Sequence, residues 1–208
     1  MGVIVVSGKP GAGSSTLAKS LAELLGYTYV SPGQIFKGLG NGSLQTSEYY
    51  PVFARVASLH GFNIPKKKKN GASEADAVHD VWESGLGQSP LLHTIIDQTQ
   101  EYLAKQGNAV FDGKLSIRML GQYAKMSVWL DASDETRIYR TVKRDGVSVE
   151  KAQDIIFGRE KKERETWKRQ YGFDYFDLAK EANVYIKTDT LLPSDVFYYA
   201  CTVLPQHL

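Results

Sequence analysis

The stretch Gly8–Thr16, GKPGAGSST, stands between an unbroken apolar run, Gly2–Val6 (GVIVV), and a segment of helical spacing, Ser14–Leu25. A β-branched run with no polar alternation predicts a strand buried on both faces, as at the centre of a parallel sheet. Leu17, Leu21, Leu24 and Leu25 fall on one helical stripe, and Gly26 follows as a C-terminal stop. Tyr27–Val30 reads as a second short strand, so the chain opens as a βαβ unit. The turn between strand and helix follows the phosphate-loop pattern G-x-x-x-x-G-K-[ST] with one departure. Gly8, Gly13 and Ser15 take the first glycine, the second glycine and the hydroxyl, while Ser14 stands at the lysine position. In such a loop the backbone of Gly8, Lys9, Gly11, Ala12, Gly13, Ser14, Ser15 and Thr16 turns its N–H groups inward as an anion nest. The helix that follows aims its positive end at the same point. The bland alternative is a glycine-rich turn that binds nothing, and the strand before and helix after argue against it.

The absent lysine ordinarily neutralises charge on the β- and γ-phosphates. Ser14 offers a hydrogen bond but no charge. Lys9, inside the loop, either replaces that lysine as a point charge from the other side or faces solvent. Ser15 is the expected Mg²⁺ ligand through its hydroxyl.

Strands and helices alternate through the rest of the chain. Leu91–Lys105 reads as a helix stopped by Gly107 and Asn108, and Ala109–Phe111 and Met126–Leu130 read as strands. Ser133 suits the N-cap of a helix over Asp134–Arg144, and Ser148 caps a long charged helix to about Gln170. Val184–Lys187 and Leu192–Val203 complete the pattern as strand and helix. The fold class is α/β, a parallel sheet with right-handed crossovers. Phe36 to Gln88 has no comparable regularity. Its run Lys66–Lys69 reads as a solvated loop or as an anion contact. His60, His79 and His93 lack metal-ligand spacing and have no cysteine partner, so no metal site is expected there.

Composition narrows the functional classes. At 208 residues, 42% hydrophobic and 23% charged, the chain suits one globular domain. A net charge of +2 is too balanced for a general nucleic-acid binder, so any anion site is local. The single cysteine, Cys201, excludes an internal disulfide framework and fits a reducing compartment. No apolar run is long enough to span a bilayer, and Met1–Ser7 lacks the basic start of a signal peptide. The expectation is a cytoplasmic protein with no membrane partner.

Four segments carry a resemblance. Gly8–Thr16, Ser20–Phe36 (SLAELLGYTYVSPGQIF), Asn108–Leu115 (NAVFDGKL) and Arg159–Arg164 (REKKER) together resemble cytidylate kinase of the archaeal type, one of the nucleoside monophosphate kinases. The likeness covers residues 1–36 and about 89–190. That type is similar in carrying a hydroxyl residue in place of the loop lysine. The resemblance implies a three-layer P-loop kinase fold, with a five-stranded parallel sheet in the order 2-3-1-4-5 flanked by helices. It implies one kinase domain over 1–208, with 31–106 as the monophosphate-binding insertion (37–88 divergent) and about 144–166 as a lid. ATP and Mg²⁺ are the implied cofactors, and a small-molecule nucleoside monophosphate the implied partner.

The resemblance also assigns roles. Arg159 and Arg164 match lid arginines that stabilise the transferring phosphoryl, and Arg144 matches a third in position; by charge pattern alone the same helix also suits a solvated surface laced by i,i+4 pairs. Ser31 and Phe36 begin the acceptor site, and Asp97 continues it on the helix before the third strand, where Gln98 and Thr99 replace the family's arginines. Asp112 and Lys114 replace the glutamate and arginine of Glu-Gly-Arg, and lysine lacks arginine's bidentate fork. Asp112 also suits the Mg²⁺ shell, or else a surface turn. The implied reaction moves the γ-phosphate of ATP to CMP or dCMP. Transfer to another small molecule or a nucleic-acid end, and nucleotide binding without transfer, are the competing readings.

Overall fold

The apolar run and its neighbours pair as parallel strands. A computed structural model describes residues 2–65 and 74–204, so the Lys66–Lys69 run lies outside the described residues. Strand β1 (Val3–Gly8) is buried at every position and sits between β3 (Ala109–Asp112) and β4 (Ala124–Asp131). With β2 (Thr28–Val30) and β5 (Val184–Lys187) they form one five-stranded sheet in the order β2-β3-β1-β4-β5. β1 continues past the apolar run to Gly8, because its ladder with β4 persists to the pair Gly8 and Leu130.

The chain divides into two compact units, Met1–Tyr29 with Gly107–Leu208, and Val30–Gln106. In the first unit, α1 (Ser14–Leu25) lays Leu17 and Leu21 against Ile4, Val6, Val110 and Val128. Helices α6 (Ser116–Met119), α7 (Asp134–Asp145), α8 (Val149–Gln153), α9 (Arg159–Tyr171) and α10 (Pro193–Val203) complete it. Ser133 and Ser148 cap α7 and α8 through their side chains, as their sequence positions suggest. The long charged helix expected from Ser148 is interrupted: Asp154–Gly158 is a π-helical turn between α8 and α9.

In the second unit, the described part of the stretch with no clear pattern is largely helical. It contains α2 (Pro32–Asn41), α3 (Tyr50–Leu59) and α4 (Glu74–Glu83), ahead of α5 (Pro90–Gln106). Glycine inside α2 has a packing reason. A Cβ on Gly40 would stand 2.0 Å from the carbonyl oxygen of Ala77, so only glycine lets α4 come this close.

Candidate functional site

The loop after β1 is shaped from behind. A Cβ on Gly8 would lie 2.5 Å from the carbonyl oxygen of Leu130, so the neighbouring strand dictates glycine there. Gly13 takes φ 104, a left-handed conformation, and starts α1 without any side-chain cap. The first N–H groups of α1 therefore have no partner within the helix. The loop carbonyls, by contrast, are held by the protein. Ala12 N donates to Lys9 O at 3.1 Å, and Arg137 Nη1 donates to Pro10 O at 3.2 Å. Thr188 Oγ1 donates to Ala12 O at 3.1 Å, and Arg140 Nη1 lies within 3.5 Å of Gly11 O. Arg137 is only 2% exposed and is also bonded to Asp134 and Glu160. With its carbonyls tied back, the loop presents its amide side, which is the geometry of an anion nest.

A hydroxyl and a carboxylate meet beneath this nest. Ser15 Oγ donates to Asp112 Oδ2 at 2.6 Å, and Tyr29 Oη donates to the same oxygen at 2.8 Å. Ser7 Oγ donates to Gly113 O at 2.6 Å and fixes the turn that follows β3. Asp112 is 9% exposed, so it is no surface-turn aspartate. Two oxygen donors side by side at a phosphate loop fit Mg²⁺, a hard ion that draws its remaining ligands from phosphate and water. Among the described residues no cluster of three or more His, Cys, Asp or Glu is placed to hold a metal.

The cations stand on two adjacent aromatic rings that sequence alone does not single out. Tyr175 and Phe176 meet edge-on with centroids 4.7 Å apart. Lys9 Nζ lies 5.2 Å and Arg164 Cζ 4.6 Å from the Phe176 centroid. Lys114 Nζ lies 5.6 Å from the Tyr175 centroid and 6.0 Å from that of Trp167. Each cation also has a carboxylate. Lys9 pairs with Asp131 at 3.0 Å, Arg164 with Asp174, and Arg159 with Glu163 at 2.7 Å, while Lys114 binds the same Glu163. Burial works to raise the Asp131 carboxyl, but the hydrogen bonds from Tyr185 and Lys9 hold it below the usual aspartate value. Burial, with Arg159 nearby, pushes the Lys114 ammonium down to about 8 against the pull of Glu163. Arg144, at the end of α7, is 64% exposed and bonded to Asp145 at 2.7 Å, and its charge reaches Arg159.

The remaining predicted acceptor residues belong to the second unit. Ser31 precedes α2, and its carbonyl accepts from Tyr49 Oη at 2.8 Å. Phe36 lies on α2. It is 8% exposed and stacks on Trp82 with centroids 5.9 Å apart, so its ring is spent on the core of this unit. Asp97 is half-buried on α5. Of the residues in the arginine positions, Gln98 meets His60 at 2.8 Å, and Thr99 bonds back to Ile95 O at 2.7 Å. His93 meets the carbonyl of Gly87 at 2.9 Å inside the core, and the side chain of His79 lies outside the described residues.

Fold and loop together define a P-loop kinase. Solved structures of the same fold include an uncharacterized protein from Eubacterium ventriosum, with a TM-score of 0.58, 13% identity and 99% of each chain covered. Shikimate kinase from Bacteroides thetaiotaomicron matches with a TM-score of 0.52, 13% identity and 98% of each chain covered. Within that class, residues 3–190 match the cytidylate kinase-like family, and the chain belongs to it. It is 31% identical over 195 residues to a cytidylate kinase of Pyrococcus horikoshii, covering 94% of this chain and 84% of the relative. It is 30% identical over 177 residues to a cytidylate kinase of Methanothrix thermoacetophila, covering 85% and 83% respectively. Among the described residues no helix is long and apolar enough to cross a membrane.

Proposed function

We propose that this chain transfers the γ-phosphate of ATP to a nucleoside monophosphate, with CMP or dCMP as the acceptor, in the cytoplasm. The observation that carries the reading is the Ser15–Asp112 pair beneath a loop whose carbonyls are tied back. The backbone of Gly8–Thr16 grips the triphosphate. An oxygen of the acceptor's monophosphate forms a new bond to the γ-phosphorus, the bond from that phosphorus to its β-bridging oxygen breaks, and ADP leaves. The attacking oxygen is already anionic, so no side chain needs to take a proton. Ser15 and Asp112 would hold Mg²⁺, which when bound neutralises charge on the β- and γ-oxygens.

Charge on the transferring group is the remaining problem, since Ser14 supplies none. Lys9, Arg159 and Arg164 answer it from around the loop, and Lys114 takes the acceptor phosphate. Arg144 joins them only if its exposed side chain leaves Asp145. Ser31, Phe36 and Asp97 are proposed as acceptor-binding residues on the strength of the family likeness. A coupled ADP-release assay over CMP, dCMP, UMP and AMP tests the reading. ADP release stimulated by CMP or dCMP is expected. No stimulation by any of the four at millimolar concentration overturns it.

A further inference from the structure

Glu163 stands out once the proposed kinase residues are accounted for. It is 1% exposed, and a carboxylate so buried has to be paired. Its two oxygens are divided between two proposed phosphate-binding cations from different parts of the fold. Oε1 accepts from Arg159 Nε at 2.7 Å, one turn earlier on α9, and Oε2 accepts from Lys114 Nζ, just after β3. A lysine on its flexible stem is a poorly aimed charge, and this contact aims it. The aromatic floor of Trp167 and Tyr175 closes the other side of Lys114.

We propose that Glu163 is the positioning residue of this cation pair: its carboxylate sets Lys114 and Arg159 side by side, so that both meet the phosphates as one preorganised unit. This rests on the kinase reading above. Two cations around one carboxylate leave a net positive charge for the phosphates. With Glu163 gone, Lys114 and Arg159 repel each other and separate.

The experiment compares wild type, Glu163→Gln, Glu163→Asp, Lys114→Met and the double variant Glu163→Gln with Lys114→Met in CMP-dependent ADP release, with kcat and KM read separately and folding checked by urea midpoints. Glu163→Gln is expected to lower kcat roughly 10- to 100-fold, the scale of a misplaced transition-state contact, and to change KM for ATP less. Glu163→Asp should restore part of the rate. Because Glu163 acts through its cations, adding Glu163→Gln to Lys114→Met should cost much less than Glu163→Gln costs alone. Wild-type kcat in folded Glu163→Gln, or fully additive losses in the double variant, overturns the proposal while leaving the kinase reading intact. If wild type shows no CMP-dependent turnover, that reading fails instead. Calorimetry of ATP with Mg²⁺ then tests the cation pair, and equal affinity in wild type and Glu163→Gln overturns it.

Discussion

Ser15 Oγ donates a hydrogen bond to Asp112 Oδ2 across 2.6 Å, tying the first turn of α1 to the last residue of β3. The contact joins a loop residue to a strand end nearly a hundred positions away. It places a hydroxyl and a charge together where the triphosphate and its metal would meet.

Asp112→Asn keeps the size of that side chain and removes its charge. The Mg²⁺ concentration for half-maximal ADP release should rise about 10- to 100-fold, the usual effect of disturbing a metal-site partner. A Mg²⁺ titration of both proteins checks this, and matching curves would remove Asp112 from the metal's surroundings.

Lys9→Ala tests the substitute for the missing lysine. With Ser14 uncharged, loss of Lys9 should lower kcat/KM for ATP by about 100-fold. Lys9→Arg should recover part of it, since Asp131 and Phe176 accept either cation. If Lys9→Ala behaves as wild type, the ion pair with Asp131 only anchors the loop.

Arg137 bears on stability more than on chemistry. Arg137→Ala strands the Glu160 carboxylate, itself 7% exposed, and should cost about 3–5 kcal/mol. Replacing both at once, Arg137→Met with Glu160→Leu, should cost less than the single change. Urea midpoints of the three proteins measure the coupling.

Asp189 supplies the pH dependence. Hydrogen bonds from the backbone N–H and the side chain of Ser133 hold its carboxyl down to about 2, below the ordinary 3.8. The folded state therefore favours the charged form. Its contribution to stability is full above pH 3.8 and is lost as pH falls toward 2. Wild type should exceed Asp189→Asn in urea resistance at pH 6, and the two should converge near pH 2.

Local pattern makes the loop legible and leaves its surroundings unread. GVIVV, the two glycines and the leucine spacing speak for β1, the turn and α1 without help from distant residues, although of that stripe Leu17 and Leu21 are buried while Leu24 is exposed. The sheet order follows from family likeness, and the strands agree with it. Residues 37–88 resist such reading because Gly38 and Gly40 suggest a broken chain, whereas they allow Leu44 and Ala77 to press against α2. Glu163 reads as one of several solvated charges on α9, and only its Lys114 partner, far off in the chain, shows otherwise. Tyr175 and Phe176 fit no motif, yet they carry the cations.

The π turn at Asp154–Gly158 sets the bearing of everything after it. Such a turn holds an extra residue, so it winds the following helix round its axis relative to an uninterrupted α-helix. Excising one residue there would let α8 run straight into α9 and swing Arg159 and Glu163 about 100° around the helix. Lys114 would then be left without its counterion. That single surplus residue acts as the indexing tooth that clocks the charged helix to the sheet.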